Sequence, residues 1–268
     1  MRLPVREKVF FKLMIAHAVS GAGPSADSQH FGLRRQIATG SISRTAAYPD
    51  SVNEIRMSRA RGLGMLFEGS ERKKLEQEMR RAGRLPPGQS LTLKWPVLHE
   101  GGVPRANLTT WDFRIEGLVE QPARLTWAEF TRLPQTEIRC DLHCVTRWSR
   151  FDNRFEGVLF TEVMKLVKPR PEAHFAMLHG ENEYTTNLPL EDLMKPTTIF
   201  AFRHDGEELT VEHGYPVRLI VPHLYLWKSV KWARGFTLIE RDEPGFWEQN
   251  GYHIYGDPWK EQRFDRDP

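Results

Sequence analysis

Residues Arg139-Cys-Asp-Leu-His-Cys-Val-Thr-Arg-Trp-Ser149 hold both cysteines of the 268-residue chain, four positions apart, with His143 beside the second and Arg147 and Arg150 close behind. Several chemistries compete for such a stretch. A structural zinc centre wants four thiolate or imidazole ligands in paired spacing, and the chain has no second cysteine pair. A thioredoxin-like couple wants Cys-x-x-Cys at a helix start, which this is not. A single thiolate remains sensible as nucleophile or metal ligand, since the nearby His143, Arg147 and Arg150 would lower its pKa. Two small core residues that happen to be cysteine are the plain alternative. Ser149 has no adjacent base, so it is expected to cap or turn the chain rather than react. Two cysteines make no disulfide framework, and a hydrophobic core must hold the fold.

Outward from this stretch the pattern is one of short strands mixed with short helices. Leu91, Leu93 and Trp95 alternate with polar residues, as do Trp111, Phe113 and Ile115, both signs of half-buried strands. Strand-like runs recur at Glu137–Cys140, His174–Leu178, Thr198–Phe202, Val217–Val221 and Phe236–Glu240, and Asp205-Gly206 predicts a hairpin. Thr126-Trp-Ala-Glu129 reads as a capping box opening a short helix that Pro134 ends. Other helix-like pieces, Glu162–Val167 and Leu190–Met194, are too few for regular βαβ alternation. The fold class expected is α+β with largely antiparallel sheet.

A second cluster is Glu212-His-Gly-Tyr-Pro-Val-Arg-Leu219, followed by Lys228-Ser-Val-Lys-Trp232. Gly214 permits close approach of a ligand to backbone. Arg218 lies inside an apolar strand, where a guanidinium needs an anion, and Lys231 has a similar mixed setting. The pair suggests a phosphate-bearing ligand, with an internal carboxylate as the plainer partner for Arg218.

Residues 1–90 carry 16 Lys and Arg against 8 Asp and Glu, and the remaining 178 residues 22 against 27. The folded part is therefore acidic, which argues against nucleic acid as a partner. Residues 1–55 read as a tail rich in turns around Ser20–Ser28 and Gly40–Ser43. The apolar run Val9–Val19 is broken by Lys12 and His17, a poor signal peptide, and no long apolar run follows Arg34-Arg35. A cytoplasmic location is expected, with the periplasm as the alternative. No stretch approaches the roughly 18–20 apolar residues of a membrane-spanning helix. A surface helix is expected over 70–84, capped by Ser70, with Leu75, Met79 and Ala82 as its apolar stripe and Gly83 and Pro86-Pro87 as its stop. The domains expected are thus residues 1–90, a basic tail with one helix, and 91–268, the folded domain.

Five motifs stand in order along that domain: Pro96-Val-Leu-His-Glu-Gly-Gly-Val-Pro104, His143-Cys-Val-Thr-Arg-Trp-Ser149, Tyr184-Thr-Thr-Asn-Leu-Pro-Leu190, His213-Gly-Tyr-Pro-Val-Arg218 and Ser229-Val-Lys-Trp232. With them, residues 91–260 resemble the sulfite-oxidase-type molybdopterin-binding domain, in particular the small bacterial proteins without a haem domain. The resemblance implies that fold, a molybdenum ion with one pterin dithiolene as cofactor, and Cys144 as the protein ligand to the metal, a soft thiolate suited to a sulfur-rich site. It implies cofactor contacts from Leu98, His99 and Glu100, from His179, from His213 and Arg218, and from Ser229, Val230 and Lys231 as a phosphate cradle. Tyr184 corresponds to the active-site tyrosine, donating a hydrogen bond at the reacting centre, and Arg147 and Arg150 would line a pocket for a small anion. Cys140 has no counterpart and is expected to be structural or to stand behind the residues that touch the cofactor. The aromatic C-terminal run Gly245–Trp259 resembles the family's wrap-around tail.

The activity implied is two-electron oxygen-atom transfer on a small oxyanion such as sulfite, with electrons passed to a separate cytochrome or flavoprotein, since the chain has no haem-binding motif. A reductase of sulfoxides or N-oxides is the alternative within the same chemistry, and a cofactor carrier without turnover is the alternative outside it. Without the additional dimerisation domain of larger sulfite oxidases, a monomer is expected.

Overall fold

The computed structural model describes residues 68–268; the readings made for residues 1–55 lie outside them. Helix α1 (Glu68–Arg81) opens this part and so contains Ser70 rather than being capped by it. Leu75 and Met79 are buried, but Ala82 is exposed, so the apolar stripe is two residues wide.

Two sheets follow. The first joins β1 (Ser90–Leu91), β5 (Trp148–Leu159), β8 (Ile199–His204) and β10 (Arg218–Ile220) in that order. Strand β4 (Gln135–Cys144) lies on β5, and β9 (Glu207–Glu208) on β8. The second runs β3 (Ala123–Thr126), β2 (Asp112–Gly117), β11 (Ala233–Ile239), β6 (Phe175–Gly180) and β7 (Thr185–Pro189). Among the described strands only the β1–β5 and β2–β11 pairs are parallel, as the largely antiparallel α+β reading requires. The α-helices after α1 are single turns: α2 (Trp127–Phe130), α3 (Phe160–Met164), α4 (Leu190–Leu193) and α5 (Phe246–Gln249). Helix α2 carries the expected capping box between Thr126 and Glu129.

Phenylalanines dominate the main core. Phe113 of β2 meets Phe200 of β8 edge-on with ring centres 4.9 Å apart, and Phe160 meets Phe236 at the same distance. Strand β8 is buried on both faces, because Phe200 faces this core while Ile199 and Ala201 face a second, smaller cluster with Ile138, Leu142, Phe155 and Ile220. The period-2 rule then decides where the chemistry sits: Cys144 shares a face with Leu142, and Arg218 with Ile220, so both belong to the small-cluster face of the first sheet.

The strand expected over Leu91–Trp95 is only the two-residue β1; beyond it the chain is irregular up to Trp111. The Thr92 hydroxyl accepts from the Lys94 amide at 3.2 Å, a local turn that takes the chain out of the ladder. Asp205 and Gly206, both with positive φ, form the expected tight turn, and it joins β8 to the short β9.

Candidate active site

Cys144 ends β4, and the three residues Val145–Arg147 turn the chain into β5, with Cys144 opposite Trp148. The turn closes through Arg147 N–H donating to the Cys144 carbonyl at 3.0 Å, with Arg147 at φ +70°, a left-handed conformation that a non-glycine residue adopts only when its surroundings hold it there. The thiol is buried and accepts a hydrogen bond from the Thr146 hydroxyl at 3.1 Å. Burial pushes its pKa up, while the Thr146 hydroxyl and amide and the charge of Lys231 act to stabilise a thiolate.

The cations expected to lower that pKa are not the ones that do so. His143 is buried beside Ser149, its Nδ1 2.8 Å from the hydroxyl, and burial pushes it down to about 4, so it is neutral near pH 7. Ser149 lies inside β5 as the partner of His143, neither a cap nor a turn. Arg150 is held in a buried network with Asn153, His204 (2.8 Å) and Asp205 (2.7 Å), so its charge is already matched by a carboxylate. The Arg147 side chain is exposed. Burial strongly disfavours the ionised form of Cys140 as well.

Arg218 and Lys231 behave as the sequence suggests. Arg218 is 2% exposed, its Nη1 donates to the His213 carbonyl (2.8 Å), its Nη2 to the Ser229 carbonyl (3.3 Å), and its Nε has no partner. Burial lowers its pKa to about 9. The Lys231 ammonium donates to the carbonyls of Leu98 (2.7 Å) and Glu212 (2.6 Å), tying two loops together. Burial and then Arg218 bring it down to about 7. Neither cation forms an ion pair with a carboxylate among the described residues. Gly214 (φ +113°) makes this closeness possible: a Cβ there would stand 3.0 Å from Arg218 Cβ and 3.3 Å from Lys231 Cα. His213 stacks on Trp95, ring centres 4.1 Å apart, with Nε2 3.2 Å from the Trp95 carbonyl. Burial, Arg218 and Lys231 hold it neutral, down to about 4.

The remaining expected contacts divide. Leu98 contributes its carbonyl to Lys231, His99 turns back on Gly101 (2.9 Å) and Glu100 lies half-buried beside them. Ser229 uses its hydroxyl to accept from the Val221 amide (2.9 Å), and Val230 is packed in the core. The Tyr184 hydroxyl donates to the Trp227 carbonyl at 2.5 Å, and burial, then Glu248 and Tyr252, push its pKa well above 10. His179 is not brought to this cluster. Strand parity puts it on the outer face of the second sheet, Nε2 2.8 Å from the Thr237 hydroxyl, lining a cavity of about 440 Å³ with Asp112 and Arg234. Sequence reasoning missed Gln89, whose buried side chain donates to the Cys144 carbonyl at 3.0 Å; a glutamine after Pro-Pro-Gly carries no signal of such a role.

The fold and site define a class: a buried thiol beside two buried cations that no carboxylate among the described residues neutralises. Among the described residues no group of three or more His, Cys, Asp or Glu side chains could hold a metal. A metal at Cys144 would therefore draw its other ligands from a cofactor, and Arg218 Nε and Lys231 suit that cofactor's phosphate.

Residues 100–247 match the model of the oxidoreductase molybdopterin-binding domain, and the chain belongs to that family of oxidoreductases. It is 46% identical over 184 residues to an oxidoreductase of Bacillus subtilis (strain 168), YuiH, covering 68% of this chain and 93% of that protein. It is 30% identical over 164 residues to the catalytic subunit of the protein-methionine-sulfoxide reductase MsrP of Gluconobacter oxydans, but spans only 52% of it. The sulfane dehydrogenase SoxCD of Paracoccus pantotrophus shares the fold, with a TM-score of 0.50 at 24% identity over 54% of this chain and 42% of that one. Among the described residues no helix is long and apolar enough to cross a membrane.

Proposed function

We propose that the protein binds a molybdenum pterin through Cys144 and carries out two-electron oxygen-atom transfer on a small oxyanion such as sulfite, exchanging electrons with a separate redox protein. The observation that carries this reading is a buried thiol that feels the charge of Lys231, which in turn lies beside Arg218, a guanidinium whose Nε has no partner. When bound, the cofactor supplies the two-electron redox step. The chain's own work is to hold and shield it. Cys144 supplies the thiolate, Arg218 and Lys231 neutralise phosphate, and His213, neutral, stacked on Trp95 and held at both ring nitrogens by Thr210 and the Trp95 carbonyl, walls the site without adding charge. Tyr184 keeps its proton, being raised well above 10, so its hydroxyl remains a donor that can leave the Trp227 carbonyl for a substrate oxygen.

One observation favours a second reading, reduction of sulfoxides or N-oxides. Arg150 is bound to Asp205, which leaves exposed Arg147 as the one expected anion-binding arginine without that restraint. A neutral substrate would need neither. Steady-state rates of sulfite oxidation with a cytochrome acceptor, set beside methionine sulfoxide reduction with a reduced dye, separate the two. Turnover of sulfite supports the first reading. Turnover of the sulfoxide alone replaces it with the second, and turnover of neither contradicts both.

A further inference from the structure

The match to the family model begins at residue 100, and the Cys144 turn is gripped by residues that precede it. The turn from Cys144 to Arg147 exposes two backbone carbonyls to a short arm that precedes the domain. Gln89 Nε2 donates to the Cys144 carbonyl at 3.0 Å, and Ser90 N–H donates to the Arg147 carbonyl at 3.0 Å, so adjacent arm residues grip both ends of the turn. Parallel pairing of β1 with β5 continues the grip, Ser90 opposite Trp148 and Leu91 opposite Ser149.

The arm is itself anchored. Arg80 donates to the Gln89 carbonyl at 2.6 Å and the Leu91 amide to Glu76 at 3.1 Å, both from α1. Arg84 binds Asp141 of β4 and Asp152 of β5, each at 2.6 Å, on the two strands that flank the turn. Gln89 is 1% exposed and Arg147 sits at positive φ, so a buried donor meets a turn that relies on external contacts to keep its shape.

We infer that Gln89 is a positioning residue for the metal ligand: by fixing the Cys144 carbonyl it sets the direction in which the Cys144 sulfur meets the metal. This rests on Cys144 being that ligand. The Cβ and sulfur move with the Cys144 Cα, so a displacement of the backbone at the end of β4, which the Gln89 and Ser90 hydrogen bonds hold in place, carries the thiol with it, and overlap between sulfur and metal orbitals depends on that direction. Arm residue and ligand act as one unit, although they are 55 positions apart.

The test uses the full chain purified as holoenzyme, in the wild type and as Gln89→Leu, with Gln89→Glu as the second variant should the first fail to fold. Metal content, the thiolate-to-molybdenum absorption band and the paramagnetic resonance of the half-reduced metal are measured on each. The expected result is metal retained to within about twofold, a displaced absorption band and altered resonance parameters, and kcat lowered at least fivefold with KM little changed. A variant with full metal, an unchanged band and unchanged resonance overturns the inference while leaving Cys144 as ligand. A wild type without metal overturns both.

Discussion

Lys228 and Lys231 lie three residues apart, and burial lowers the pKa of both, yet the fold treats them differently. Lys228, with no exposed surface, meets Glu248 at 2.6 Å and donates to the Asn187 side chain (2.8 Å) and the Ile254 carbonyl (2.6 Å). Its partners come from β7 and the C-terminal segment, so it fastens that segment to the body, as a wrap-around tail requires. Lys231 has two carbonyls and no carboxylate, and beside it Arg218 has the same deficiency. A buried cation with a resident anion belongs to the structure; one left unneutralised costs stability and is retained for what it binds.

The contrast can be broken at either side. Glu248→Gln leaves Lys228 buried without its counter-ion and is expected to cost about 3–5 kcal/mol, lowering Tm by roughly 10 °C in calorimetry of the full chain. A loss below about 1 kcal/mol would mean the pair is not what fastens the tail.

Asp192 supplies an intermediate case. Burial alone would raise its pKa, but hydrogen bonds from His223 and Lys195 pull it down to about 2. A carboxylate lowered in the folded state contributes stability above its ordinary value near 4, and that contribution is lost as pH falls through 2. Urea unfolding at pH 5 and at pH 2 should therefore differ by about 2 kcal/mol more in the wild type than in Asp192→Asn. Equal pH dependence in both would remove the ion-paired role.

Lys231→Met is expected to move the cofactor-free protein least, by less than about 1 kcal/mol near pH 7, because removal of an unneutralised charge offsets loss of the hydrogen bonds to the Leu98 and Glu212 carbonyls. The pH dependence has a definite sign. Between about pH 7 and pH 10 the unfolded chain keeps a proton on Lys231 that the folded chain has released, so stability of the cofactor-free wild type rises with pH across that window. The variant should show a flatter rise, and an equal rise in both would place the titration elsewhere.

What the sequence made legible follows from which signals are local. The alternation of Phe113 and Ile115 marks β2 because one face is core and the other polar. The longest strand, β5, escaped that reading, since its polar residues meet protein partners, most from distant segments: Arg150 meets Asp205, Asp152 meets Arg84, Arg154 meets Glu137, Glu156 meets Arg203, and Asn153 donates to the Cys140 and Arg150 carbonyls. Cys144, Arg218 and Lys231 were readable as residue types out of keeping with their surroundings. The burial of Arg150 against Asp205, 55 positions away, was not, nor was the outward face of His179. Gln89 illustrates the limit: its role is defined wholly by where the arm lands.

The central claim, that Cys144, Arg218 and Lys231 together hold a molybdenum pterin, is tested most directly by stoichiometry. Molybdenum by elemental analysis and pterin by fluorescence after oxidation would be measured on wild type, Cys144→Ser and Arg218→Met, expressed in a host that makes the cofactor. The account predicts about one of each per wild-type chain, pterin lost from Arg218→Met, and a changed metal spectrum in Cys144→Ser. A wild type carrying neither molybdenum nor pterin, or a Cys144→Ser protein with an unaltered metal spectrum, would contradict it.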